Sequence, residues 1–285
     1  MTSSIWAPLD AELGLWEASG RQLQLWLRDD DTIAPTAALD RLETLAERFR
    51  LPVLLAVIPL NADDSLGPRL AGSRWLRPCQ HGARHINHEP AGTKTGEFGA
   101  SRSIEAVGYD IAAGRDRLAA LLAGSLPVFV PPWNRIAPHH AALLPELGFR
   151  GLSCFRGSLA GQGTSLCQID SDLDLIDWKG GRRGRPHDRL AAEAAVLLAR
   201  KREGGAGTAS FGLLLHHRDH DDNVWSFLEQ FLARYGDHPS VRCRDPASLF
   251  GTEASGHPFQ PAGRAAITPA QSLPRSPSTE RSSGR

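Results

Sequence analysis

Short apolar runs alternate along the chain with longer amphipathic stretches. The short runs cover residues 23–28, 53–58, 75–80, 127–130, 151–154, 173–176, 211–215 and 241–243. Their length and apolar content predict strands. Between them, segments 36–49, 103–122, 139–147, 187–201 and 222–235 carry helix-like spacing. The first of these begins at Pro35-Thr36 and places Leu39, Leu42 and Leu45 along one side, which is a helix start followed by an apolar face. Repeated strand-then-helix units predict an α/β fold with a parallel sheet and helices outside. Seven or eight units over roughly 250 residues favour a closed or nearly closed β/α barrel over an open sheet. The barrel domain is expected to span residues 1–251. Residues 252–285 are rich in Ser, Pro, Gly and Arg and poor in large apolar residues, so a disordered tail is expected there. No internal repeat of fixed period is present.

Composition narrows the function classes. The chain has 285 residues, 41% hydrophobic and 22% charged, with 32 basic against 32 acidic side chains. That balance gives no electrostatic reason for a nucleic-acid or anionic-membrane partner. No apolar stretch is long enough to span a bilayer, and nothing in the pattern specifies an oligomeric state. The four cysteines, Cys79, Cys154, Cys167 and Cys243, form no CxxC pair, which favours free thiols in a reducing compartment. The first twenty residues lack the basic start and apolar run of a secretory signal, so the expected location is cytoplasmic.

Polar clusters follow the strands. Asp29, Asp30 and Asp31 come after the first, and His81, Arg84, His85, Asn87 and His88 after the third. Pro132, Trp133, Asn134 and Arg135 follow the fourth, Asp177 and Trp178 the sixth, and His216, His217, Arg218, Asp219 and His220 the seventh. All fall at C-terminal strand ends, the rim that builds active sites in β/α barrels. Two histidines and a carboxylate make a catalytic type of metal site, because they leave a position open for water. HxxxH is weak evidence alone, since two histidines in a polar loop satisfy it equally well. The adjacent triple acid adds weight: like charges crowded at a strand end call for a compensating cation, although a solvated turn capping the next helix would use the same residues. A structural zinc knot of Cys79, His81, His85 and His88 is a weaker alternative.

These residues resemble the NodB-homology polysaccharide deacetylases, carbohydrate esterase family four, whose distorted seven-unit β/α barrel carries five short motifs. Arg28-Asp29-Asp30-Asp31 is similar to the RxDD form of the first motif. It implies Asp30 as general base and Asp31 as metal ligand; a register one residue earlier would give Asp29 and Asp30. His81 and His85 match the second motif, with Gly82 where Ser or Thr is usual, so a loop-bracing hydroxyl is missing. Pro132-Trp133 matches part of the third, but Val130 stands where an arginine belongs, and Arg135 is a candidate replacement. Asp174, Asp177 and Trp178 match the fourth, and Leu214-Leu215-His216 the fifth, with His217 where Asp is usual. Gly96-Glu97-Phe98-Gly99 is also distinctive, but the sequence suggests no purpose for it.

The resemblance implies a divalent metal on Asp31, His81 and His85, with zinc expected and cobalt, manganese or nickel as alternatives. It implies hydrolysis of an N- or O-acetyl group on a carbohydrate or small acetylated molecule. Asp30 is the implied base, the Trp133 N–H the implied oxyanion donor, and His216 the implied acid. Pro132, Arg135, Asp174, Asp177 and Trp178 are the implied substrate-side residues. Hydrolysis of another amide on the same scaffold, and a non-catalytic carbohydrate-binding relative, remain open alternatives.

Overall fold

A computed structural model of the protein describes residues 4–205 and 208–252. Its strands are β1 (Gln22–Thr32), β2 (Val53–Val57), β3 (Leu76–His81), β4 (Val128–Val130), β5 (Gly151–Leu152), β6 (Cys167–Gln168), β7 (Leu173–Asp174), β8 (Ile176–Asp177), β9 (Arg183–Gly184), β10 (Thr208–Leu215) and β11 (Val241–Cys243). Its helices are α1 (Ala7–Ala18), α2 (Ala37–Arg48), α3 (Leu66–Leu70), α4 (Ile104–Leu121), α5 (Pro138–Ala141), α6 (His187–Glu203), α7 (Asp222–Tyr235) and α8 (Pro246–Leu249). The main sheet runs β6-β5-β4-β3-β2-β1-β10-β7 with parallel ladders throughout. β11 pairs with residues 23–25 of β1, just before β2 takes over at Leu27. The result is the expected distorted β/α barrel, left open between the edge strands β6 and β7. No helix among the described residues is long and apolar enough to cross a membrane.

Strands covered on both faces must be apolar on both, and every residue of β2 is buried. On β1 the faces separate: Leu23, Leu25 and Leu27 join the core under the helices, while Trp26 points into the barrel with Leu54, Ala56, Cys79, Val128, Val130 and Phe250. Trp26 meets Phe250 edge-on at 5.9 Å. Gly212 on the neighbouring β10 leaves the indole its space, since a Cβ there would come within 2.6 Å of the ring.

Several elements differ from the sequence expectation. α1 was not expected; it buries Leu9, Leu13 and Trp16 and is tied to α6 by Glu12–Arg202 and to α7 by Asp10–Arg234. The helix expected over 139–147 is only the short α5, because Pro145 lacks an N–H and disfavours helical backbone at Leu144. The strand expected over 173–176 breaks at Leu175, where the Asp174 carboxylate accepts the Ile176 N–H at 2.9 Å and turns the chain. β8 then pairs with β9 in a separate antiparallel ribbon. Beyond Thr252, whose N–H donates to Ala247 O at 2.8 Å, the expected disordered tail lies outside the described residues.

Candidate metal centre

The triple acid sits on a break in strand register. Asp29 pairs opposite Leu55 and Thr32 opposite Val57, so three steps along β1 match two along β2. That extra residue is a β-bulge, and within it Asp31 takes φ 70°. Regular alternation would put Asp29 and Asp31 on one face; the bulge separates them. Asp29 stays buried on the outer side, accepting from His217 through its backbone N–H at 2.8 Å and its Nδ1 at 2.5 Å. Asp30 points into the barrel, 2% exposed. Asp31 swings over the rim toward β3.

There Asp31 Oδ1 lies 3.1 Å from His81 Nε2 and 3.3 Å from His85 Nε2. The candidate ligand atoms of these three residues all lie within 4.8 Å of one another. The Nδ1 of His81 is 2.9 Å from the Val130 carbonyl. That bond fixes Nδ1 as the protonated nitrogen and aims the other one at the carboxylate, as a metal-ligating imidazole requires. Burial opposes charging His81, but the Asp30 and Asp31 carboxylates outweigh it and raise its pKa. Burial likewise opposes ionised Asp31, and His81, His216 and His85 together outweigh it and hold the carboxyl far below its usual range. The pKa of His85 is lowered by burial and by repulsion from His81. A carboxylate facing two imidazole nitrogens, in a site that keeps the carboxylate ionised, is a donor set that fits a divalent cation of the zinc class. Cys79 lies deeper, in the barrel interior, and His88 is exposed. Neither joins the cluster, so the structure does not assemble the four-residue knot.

The loop carrying the two histidines is braced by a residue with no role assigned from sequence. Glu97, 1% exposed, accepts the N–H groups of Ala83 at 3.1 Å and Arg84 at 2.8 Å. It does the work expected of a hydroxyl at position 82, and it accounts for the Gly96–Gly99 segment. Gly82 itself has φ 59°, and a Cβ there would fall 2.2 Å from Glu97 Oε2 and 2.4 Å from Pro132 Cγ. Gly82→Ser, which would restore the usual motif, is therefore expected to cost about 1–3 kcal/mol of stability, measured by chemical denaturation. An unchanged midpoint would contradict this packing.

Asp30 pairs with Arg28 two residues earlier, Nη2 to Oδ2 at 3.0 Å. The Arg28 side chain is fully buried and also donates to Ser153 O and Oγ, Cys154 O and Asn134 Oδ1. A cation thus reaches Asp30 from β1 rather than from position 130. Arg135, the candidate replacement, donates instead to Thr95 O at 2.7 Å and is exposed. Sequence reasoning missed the role of Arg28, although the alternation that puts residues 28 and 30 on one face was legible. Asp30 Oδ1 is buried with no hydrogen-bond partner among the described residues, and so is His216 Nδ1.

His216 directly follows β10 and meets the exposed Trp178 edge-on at 4.6 Å. The Trp178 indole N–H donates to Asp174 Oδ2 at 2.7 Å. Burial raises the Asp174 pKa against the pull of His216 and these hydrogen bonds. The His216 N–H donates to His220 Nε2 at 3.2 Å; burial, with the neighbouring His216 and His217, pushes His220 down to about 4. Trp133 sits at φ 53° with its ring 4.2 Å from that of His85, and its N–H makes no hydrogen bond among the described residues. Two expected substrate-side residues lie elsewhere. Asp177 turns back on its own loop, accepting from the N–H groups of Lys179 and Gly180 at 3.2 and 2.8 Å, because the break at Leu175 carries it into the β8–β9 ribbon. Pro132 is buried against Gly82 and supports the loop from beneath.

Asp30, Asp31, His81, His85, Trp133, Arg135, Asp174, Trp178 and His216 line a single cleft of about 980 Å³. Non-glycine residues with positive φ gather there too: Asp31, His85, Trp133, Asn134 and Arg182 all line it, and only Arg50 lies elsewhere among the described residues. Backbone held in unfavourable conformations around one cleft marks functional sites.

Solved structures share this architecture. A protein from Mycobacterium smegmatis assigned to the polysaccharide deacetylases superposes with TM-score 0.61 at 13% identity, covering 82% of this chain and 90% of its own. The chain has the polysaccharide deacetylase fold. A protein from Pseudomonas aeruginosa PAO1 with the same assignment shares the fold at TM-score 0.59 and 15% identity, over 85% of this chain and 94% of its own. The Bc1960 peptidoglycan N-acetylglucosamine deacetylase follows at TM-score 0.50 and 14% identity, over 81% and 88%. No family model and no curated protein matches the sequence. In these deacetylase-fold terms, the cleft of this chain lies at the barrel rim, at the C-terminal ends of β1, β3, β4, β7 and β10.

Proposed function

We propose that the protein is a metal-dependent hydrolase, a divergent polysaccharide deacetylase that removes an acetyl group from an acetylated carbohydrate or related small molecule. The observation that carries this reading is the convergence of Asp31, His81 and His85 beside a buried, partly unpaired Asp30 and His216 in one cleft. Asp31, His81 and His85 would hold the metal, and zinc suits their nitrogen and oxygen donors. When bound, such a cation supplies Lewis acidity, making water a stronger acid and drawing electrons from an acyl carbonyl.

The remaining steps fall to the chain's own groups. Asp30 Oδ1, free of other partners among the described residues, receives a proton from the attacking water. Arg28 holds the opposite oxygen, so that Oδ1 stays aimed into the cleft. In this reading the N–H of Trp133 donates to the oxygen that gains charge as the acyl carbon becomes tetrahedral. His216, steadied by His220 behind it and Trp178 beside it, gives its proton to the leaving nitrogen as the C–N bond breaks. The acetyl group departs as acetate and the sugar keeps a free amine. An ester would leave its alcohol by the same route. Trp178 and Trp133 offer flat apolar faces of the kind that cover a sugar ring.

The test is acetate release from a panel of N- and O-acetylated sugars, with zinc, cobalt or manganese added to metal-depleted protein. Metal-dependent acetate production is the expected result. Stoichiometric metal binding with no acetate from any substrate would overturn the hydrolase reading.

A further inference from the structure

The balance of acid and base over the whole chain is even, but the cleft is not. Arg84, Lys94, Arg135, Arg156, Arg182 and Arg218 all line it and are all exposed. Among the described residues, the only carboxylates in its lining are Asp30, Asp31 and Asp174. Asp30 is committed to Arg28, Asp31 faces the two histidines, and Asp174 accepts from Trp178 and Ile176. Of the rim cations, Arg156 pairs with Glu193 and Arg182 with Asp219. Arg84 and Lys94 make no side-chain hydrogen bond or ion pair among the described residues. Among the described residues, Arg135 and Arg218 bond only to uncharged oxygens, those of Thr95 and the Asp31 carbonyl.

Unpaired cations spread over a protein surface mean little, but here they ring the mouth of one cleft, drawn from the loops after β3, β4 and β10. A divalent cation at the floor would make the cleft more positive still. Clefts lined by one sign of charge concentrate ligands of the opposite sign, and guanidinium groups fit carboxylate and phosphate oxygens in pairs. On the hydrolase reading above, we infer that the substrate is an acylated sugar bearing an anionic substituent, a carboxylate or a phosphate, and that Arg84, Lys94, Arg135 and Arg218 recognise it.

Three substrates of similar size test this on metal-loaded protein: N-acetylglucosamine, its 6-phosphate and N-acetylmuramic acid. At low ionic strength, kcat/KM for at least one anionic substrate should exceed that for the neutral sugar by about tenfold or more, and about half a molar salt should erase most of the advantage. The phosphate and carboxylate arms identify the favoured anion. In the double variant Arg84→Gln with Lys94→Gln, the anionic-to-neutral ratio should fall several-fold. Equal rates for neutral and anionic sugars, unmoved by salt, would overturn the inference and leave the hydrolase reading standing. If none of the three releases acetate, titration calorimetry with the same compounds decides the anion question, and the wider panel of N- and O-acetylated sugars decides the hydrolase reading. At least tenfold tighter binding of an anionic sugar, lost in the double variant, supports it. Binding no tighter than that of N-acetylglucosamine, or no binding at all, rejects it.

Discussion

Protein carrying Asp31→Gly should retain its fold and lose its metal. Elemental analysis after purification should give about one divalent ion per chain for the parent and close to none for the variant. Glycine is the informative replacement because Asp31 has φ 70°, a conformation that glycine adopts freely and alanine does not. The ligand is removed without adding backbone strain, and the bulge that positions it survives. The loss should exceed the roughly 10–100-fold drop in affinity typical when only an outer hydrogen-bond partner of a ligand is removed, because Asp31 supplies the site's carboxylate and its negative charge. His81→Ala should behave alike. The decisive contrast is Asp29→Ala. Asp29 is fully buried against His217 on the outer side of β1, so this variant should lose stability rather than metal affinity. Metal lost with Asp29→Ala and kept with Asp31→Gly would refute the proposed ligand set.

Asp30→Asn should reverse that pattern, binding metal normally while acetate release falls by about 10²–10⁴-fold, the range expected for a positioned general base. Asparagine keeps an oxygen that can accept from Arg28, and the guanidinium retains its bonds to Ser153, Cys154 and Asn134. The side chain therefore stays in place while the basic oxygen is gone. Arg28→Met makes the complementary change. It leaves a buried carboxylate without its cation, a change that costs about 3–5 kcal/mol in comparable buried pairs, so its main effect should appear in denaturant unfolding. If Asp30→Asn instead strips the metal, Asp30 is a ligand and the base lies elsewhere.

Much of this was legible in the residues themselves. Apolar runs separated by amphipathic stretches require strands and helices in alternation, and the polar residues at strand ends pick out one rim, because side-chain identity and local spacing fix both. The two histidines four residues apart, Trp133 and His216 were visible for the same reason. The triple acid was legible only through the family resemblance, with its register open by one residue, and not from periodicity. Strand alternation assigns Asp29 and Asp31 to one face, and only the slipped pairing of β1 against β2 sends Asp31 over the rim and leaves Asp29 behind. The turn made by the Asp174 carboxylate removed Asp177 from the cleft by a local competition with the strand that no period announces. Glu97 and Arg28 acquired their partners from segments distant in sequence, at Ala83 and Arg84 and at Ser153, Cys154 and Asn134. Periodicity tells which way a side chain points along its own element. Register between elements, which depends on how all the neighbours pack at once, tells what it meets there.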